Sequence, residues 1–256
     1  MSITAPAANP APISESPRHS AIVELRRYTL HPGRRDDLIA LFDTHFLEGQ
    51  EFCGMKIIGQ FRDLDDPDAF VWLRGFEDME ARHNALSAFY DGPVWGEHRN
   101  SANATMIDSD DVLLLRTAGD SGGFALPAER PRLGSTDQSP AIIQAVTYKL
   151  NSPAEQGFLA FFQQTLAPVL QAADEQRIAL FASEHSENTF TRLPLRLGEN
   201  VVVSFSRFDN AAAHASFTKD LISNPAWLAA QEQLSTYLVA PPVIARLAPT
   251  GRSLLR

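Results

Sequence analysis

Three charged residues lie where strand-like alternation would gather them. Glu24 and Arg26 fall in the run Ile22–Leu30 (IVELRRYTL), and Arg74 falls in Ala69–Phe76 (AFVWLRGF). Successive strand side chains point to opposite faces, so Ile22, Glu24, Arg26, Tyr28 and Leu30 share one face, as do Phe70, Trp72, Arg74 and Phe76. If the two runs are neighbours, a carboxylate, two guanidiniums, a phenol and an indole converge. That patch is a candidate ligand site. It is equally a candidate ion-pair cluster, because charges on central strands need partners. Arg99 and Asn103, four residues apart, share a helical face. There Arg99 could hold a carboxylate, an enolate or a quinone oxygen with Asn103 orienting it, or the pair could anchor the following strand through Asp108 and Asp110. His45 is the best-placed candidate base and Tyr28 a candidate pocket hydroxyl, although both also read as packed structural groups. With Arg99 they would supply a base and an oxyanion clamp.

No metal or cofactor is expected. HExxH, HxH, GxSxG, Walker A and GxGxxG are missing, and the acidic turn Asp63–Asp68 (DLDDPD) lacks the glycine and final glutamate of a calcium loop. The single cysteine, Cys53, rules out an intrachain disulfide.

The elements that must position these residues occur twice. Ile22–Leu30 returns as Ile142–Leu150 (IIQAVTYKL) at a shift of 120, and Gly75–Trp95 returns as Arg207–Trp227 at a shift of 132. Phe76/Phe208, Pro93/Pro225 and Trp95/Trp227 coincide. A period this long signals two copies of one small domain. Each copy reads as strand, helix, two strands, helix, strand, and the order βαββαβ builds a four-stranded antiparallel sheet with its helices on one face. The bare face needs a cover. The expected fold is therefore α+β, two tandem ferredoxin-like domains packed sheet to sheet as an α/β barrel. The expected boundaries are a disordered tail at 1–20, domains at 21–116 and 141–248, a linker at 117–140, and a tail at 249–256. The change of shift places twelve extra residues in Ser183–Gly198, which reads as a long hairpin arm reaching over the neighbouring domain, or as a surface loop. The charges are not repeated: Arg26 aligns with Val146, Trp72 with Ser204 and Arg74 with Ser206, while Tyr28 is kept as Tyr148. On polar content the pocket is expected in the N-terminal copy.

With a net charge of −9 over 256 residues and no basic cluster, the chain is not expected to bind nucleic acid. No apolar run reaches membrane-spanning length, and the N-terminus lacks signal-peptide features, which points to a cytoplasmic protein. Further association into a homo-oligomer is compatible with such sheets.

Glu24–Leu30 (ELRRYTL) followed by Pro32-Gly33, together with Arg99 and Ala102–Arg116 (ANATMIDSDDVLLLR), resembles the opening and the close of the NIPSNAP domain. The resemblance covers about residues 20–116, with the second copy a diverged version, as in a tandem-domain member of bacterial type. It implies the dimeric α/β-barrel fold shared with antibiotic-biosynthesis monooxygenases, and no settled activity. The leading expectation is a protein that binds a small apolar or aromatic molecule in the N-terminal half through Glu24, Arg26, Tyr28, Trp72, Arg74, Arg99 and Asn103. The alternatives are a cofactor-independent monooxygenase acting on a phenolic or quinol substrate, and a protein-interaction module.

Overall fold

The computed structural model describes residues 20–118, 123–135 and 138–256. The first half runs β1 (Ile22–Leu30), α1 (Arg35–Leu41), a π-helical turn (Phe42–Phe46), α2 (Leu47–Phe52), β2 (Lys56–Asp63), β3 (Ala69–Phe76), α3 (Met79–Tyr90), α4 (Pro93–Asn103) and β4 (Met106–Thr117). The second half repeats this as β5 (Ile142–Leu150), α5 (Phe158–Phe161), a π-helical turn (Phe162–Leu166), α6 (Ala167–Ala172), β6 (Arg177–Ser183), β7 (Asn200–Phe208), α7 (Ala211–Ile222), α8 (Pro225–Ser235) and β8 (Val243–Pro249).

Local signals recur at the sequence shifts. Asp78 caps α3 by accepting from Ala81 N at 2.7 Å, and Asn210 caps α7 by accepting from Ala213 N at 2.9 Å. Pro93 and Pro225 each open a helix, where the missing N–H costs nothing. Even the π-helical turns match.

The eight strands close in the order β1-β3-β2-β8-β5-β7-β6-β4. Within each half β1 or β5 lies centrally, and the halves join through antiparallel pairs β2·β8 and β4·β6. Closure removes the free edges that two open sheets would present. Odd-numbered residues of β1 and β3 point inward, so Val23, Val71 and Leu73 meet Ile143, Val203 and Phe205 of the other half in one apolar interior. Each half thus covers the bare sheet face of the other.

Two segments differ from expectation. Residues 249–256, expected as a tail, pack onto the barrel and are mostly buried: Thr250 N donates to Gln60 O at 2.9 Å and Leu255 N to Ile58 O at 3.0 Å, which seats Leu254 and Leu255 inside the barrel. Within the expected linker 117–140, Thr117 prolongs β4 and Phe124 and Leu126 enter the same interior. Residues 119–122 and 136–137 lie outside the described residues, as does the tail expected at 1–20 apart from Ser20. The acidic turn is anchored to the sheet, because Asp63 is buried and paired with Arg27.

The arm does reach over the first half. Phe190 is buried there, 5.7 Å from the Tyr90 ring, and Arg192 pairs with Asp91 at 2.5 Å.

Candidate functional site

The even-numbered face of β1 and β3 turns outward to the helices, so each half has its own seam between sheet and helix layer. In the N-terminal half the register places Glu24 opposite Arg74 and Arg26 opposite Trp72. Glu24 sits at the centre of an arginine cluster. Its Oε2 accepts from Arg26 Nη1 at 2.6 Å and from Arg74 Nε at 2.8 Å, and its Oε1 accepts from Arg82 Nε at 2.7 Å. None of the four is more than 1 % exposed. Burial alone would raise the Glu24 carboxyl, but Arg74, Arg26 and Arg82 outweigh it and hold the group far below the usual carboxylate range. Arg26 Nε also donates to the Tyr28 hydroxyl at 3.0 Å. Burial, only partly offset by Arg26, holds the Tyr28 phenol above its ordinary value. Trp72 lies between Arg26 and Arg74, whose guanidinium carbons stand 5.5 and 5.2 Å from its ring centre.

These large side chains fill the N-terminal seam. The cavity left beside Tyr28 and Trp72 measures about 30 Å³, far below ligand size. The expected pocket in this half is therefore corrected to an ion-pair cluster.

The C-terminal half carries the same seam with different contents. Its register pairs Gln144 with Ser206 and Val146 with Ser204, the counterparts of Glu24/Arg74 and Arg26/Trp72. Three bulky residues have become small, and the seam opens into a cavity of about 620 Å³. Its walls include Val146, Tyr148, Leu170, Phe217, Leu221 and Trp227. The segment Leu238–Pro242 forms part of the rim. Where the first half pairs Leu30 with Met106 as part of a continuous strand, the second keeps only an isolated bridge, Leu150 to Leu238. Pro241 and Pro242 lack the N–H that a longer ladder would use, and β8 begins after them.

A few polar groups converge on this cavity. Gln144 Oε1 lies 2.8 Å from His214 Nε2. Glu175 lines the wall and accepts from Ser206 Oγ at 2.5 Å. Burial raises the Glu175 carboxyl above its ordinary value, opposed by the Ser206 hydrogen bond and by Arg177. The Tyr148 phenol is also pushed up, by burial first and by nearby Glu175 second. Burial lowers His214, which favours the neutral imidazole. The result is an apolar cleft whose wall carries the Gln144 amide, itself hydrogen-bonded to the neutral His214 imidazole, and one carboxyl bound to a hydroxyl rather than to an arginine.

The remaining sequence candidates are not gathered at either seam. Arg99 and Asn103 are exposed on α4, and His45 is exposed and stacked on His98 with ring centres 3.7 Å apart. Tyr28, His45 and Arg99 therefore do not assemble into a catalytic group. Among the described residues no cluster of three or more His, Cys, Asp or Glu could hold a metal ion, and no helix is long and apolar enough to cross a membrane. Gln144, Glu175 and His214 were missed by sequence reasoning. A usable signal existed for Glu175, which aligns with the apolar Met55 at the shift of 120.

Residues 23–121 match the NIPSNAP family model. No curated protein matches the chain. Among solved structures, a "putative monooxygenase" from Lactobacillus acidophilus is 10% identical, with 90% of this chain and 94% of that chain covered at a TM-score of 0.52. An anthrone oxidase-like protein is 13% identical, with 93% and 94% covered at a TM-score of 0.55. Both likenesses extend over the two halves, and at these identities they establish the fold.

Proposed function

With a NIPSNAP domain at residues 23–121 as the premise, we propose that this chain binds a small, largely apolar molecule in the seam of its C-terminal half. One observation carries the reading: the same structural address is filled in one half and hollow in the other, about 30 against about 620 Å³. The larger volume falls in the range of small-molecule sites, which are mostly apolar with a few convergent polar groups. Gln144, Tyr148 and Glu175 would fix the polar end of a ligand whose body lies against Phe217, Leu221 and Trp227. Trp227 offers a direct readout. Titration with 1-naphthol should change its fluorescence saturably, and the cleft-filling pair Val146→Phe and Leu221→Phe should weaken binding by about tenfold or more. Equal affinity in the filled variant would refute the reading.

A second reading, cofactor-independent oxygenation of a phenolic or quinol substrate in the same cleft, is supported by Glu175. A buried carboxyl with no arginine bound to it is suited to accept a phenolic proton. The substrate anion would then supply all four electrons that dioxygen accepts, one oxygen atom entering the ring of a quinol to give the hydroxyquinone and the other leaving as water. Oxygen uptake with 1,4-naphthalenediol should be lost in Glu175→Gln while 1-naphthol binding persists. Undiminished uptake would remove this reading and leave the first intact.

A further inference from the structure

We propose that the arginine cluster of the N-terminal seam is an anion site reached through Arg82, with Asn188 and Thr189 of the arm as its displaceable cover and an oxyanion of two negative charges as its ligand.

The first ground is charge. Arg26, Arg74 and Arg82 surround one carboxylate, and each is at most 1 % exposed. Glu24 is the only acidic group within ion-pair distance of any of them among the described residues. Tyr28, which accepts from Arg26, is a phenol held neutral by its burial and adds no counter-charge. Three guanidiniums share one carboxylate, so two positive charges are left buried without a counter-charge, an arrangement that costs stability.

The second ground is that the fold does not need them. The positions equivalent to Arg26, Arg74 and Arg82 in the other half are Val146, Ser206 and His214, and that half forms the same strands, helices and π-helical turn. A seam at this address folds without any of the three arginines.

The third ground is what touches Arg82. Its Nε is bound to Glu24, its Nη2 is buried with no hydrogen-bond partner, and its Nη1 faces the arm. There it donates to Asn188 Oδ1 at 3.1 Å and Thr189 Oγ1 at 3.4 Å. These are neutral oxygens at the longer end of hydrogen bonding, in the place where a charged oxygen would bind better. Next to Arg82, His83 Nδ1 lies 2.6 Å from the Thr189 carbonyl. Thr189 is exposed and Asn188 half-buried, so the cover over Arg82 is thin. An oxyanion would replace these two side-chain oxygens, engage the free edge of the guanidinium, and neutralise the excess charge. This inference does not depend on the cleft of the other half.

Calorimetric titration at constant ionic strength, with inorganic phosphate and with succinate, tests it. Wild-type protein should bind at least one of the two dianions. N188A/T189A, which removes the competing oxygens, should bind it about tenfold more tightly. R82Q in that background should abolish binding, and R82K should retain a weakened form of it because it keeps the charge and loses the fork. Binding of phosphate alone identifies phosphoryl ligands, and of succinate alone dicarboxylates; either supports the site. No binding of either dianion to N188A/T189A, affinity no tighter than wild type, or binding retained in R82Q would overturn it. Should R82Q fail to fold by circular dichroism, the comparison of N188A/T189A with wild type decides alone.

Discussion

Arg82 Nε donates to Glu24 Oε1 at 2.7 Å, and at the equivalent place in the other half His214 Nε2 lies 2.8 Å from Gln144 Oε1. One contact between a helix and a central strand is thus kept in both halves, charged in one and neutral in the other.

Glu24→Gln leaves three buried guanidiniums without a counter-charge. Removing one partner of a buried ion pair costs about 3–5 kcal/mol. Urea unfolding should register a loss of that order, whereas Gln144→Ala, which breaks the neutral contact, should cost about 1–3 kcal/mol. Similar losses at the two sites would mean that Glu24 is not the hub of the cluster.

The pH dependence of stability contains components of opposite sign, of which Glu24 and Asp43 illustrate the two senses. The folded Glu24 carboxyl lies far below its unfolded value, so its contribution is fully present above the ordinary glutamate range of about 4.3 and is lost as pH falls below it. Asp43 behaves in the reverse sense. Burial, opposed by Arg252, Arg130 and Arg62, pushes it up to about 6. The folded state then holds a proton that the unfolded state releases from about pH 4, so stability falls as pH rises towards about 6 and is level above that. Asp43→Asn should make that descending limb shallower, with the raised Glu175 carboxyl supplying a remainder of the same sign, and leave the acid limb in place. A descending limb unchanged in the variant would assign it to another group.

The two halves were legible because their signals are local. Caps at Asp78 and Asn210, prolines at 93 and 225, and strand alternation each act within a few residues, so they survive divergence. Alternation also placed Glu24, Arg26 and Arg74 on one face. The open seam was harder to read. Arg26 to Val146, Trp72 to Ser204 and Arg74 to Ser206 are visible in the sequence. Counted as lost polar groups, they point to the N-terminal half as the site; counted as lost volume, they point to the C-terminal half. Packing decides in favour of volume. Helical spacing likewise put Arg99 and Asn103 together without saying that their face meets solvent.

Phe124 lies in a stretch whose Gly, Pro and Ser content resembles a linker, yet its ring sits 5.1 Å from those of Phe181 and Phe205. Phe124→Ala should therefore behave as a core truncation, destabilising by about 3–5 kcal/mol. A urea midpoint close to wild type would return the segment to the surface.

Joining both halves in one polypeptide changes what mutation can do to the barrel. When two identical subunits close such a ring, every substitution appears on both sides of the symmetry axis, and a change that hollows one seam hollows both. Here the axis is only approximate, so Val146, Ser204 and Ser206 could arise opposite an unaltered Arg26, Trp72 and Arg74. One side could be remodelled while its twin kept the ring shut.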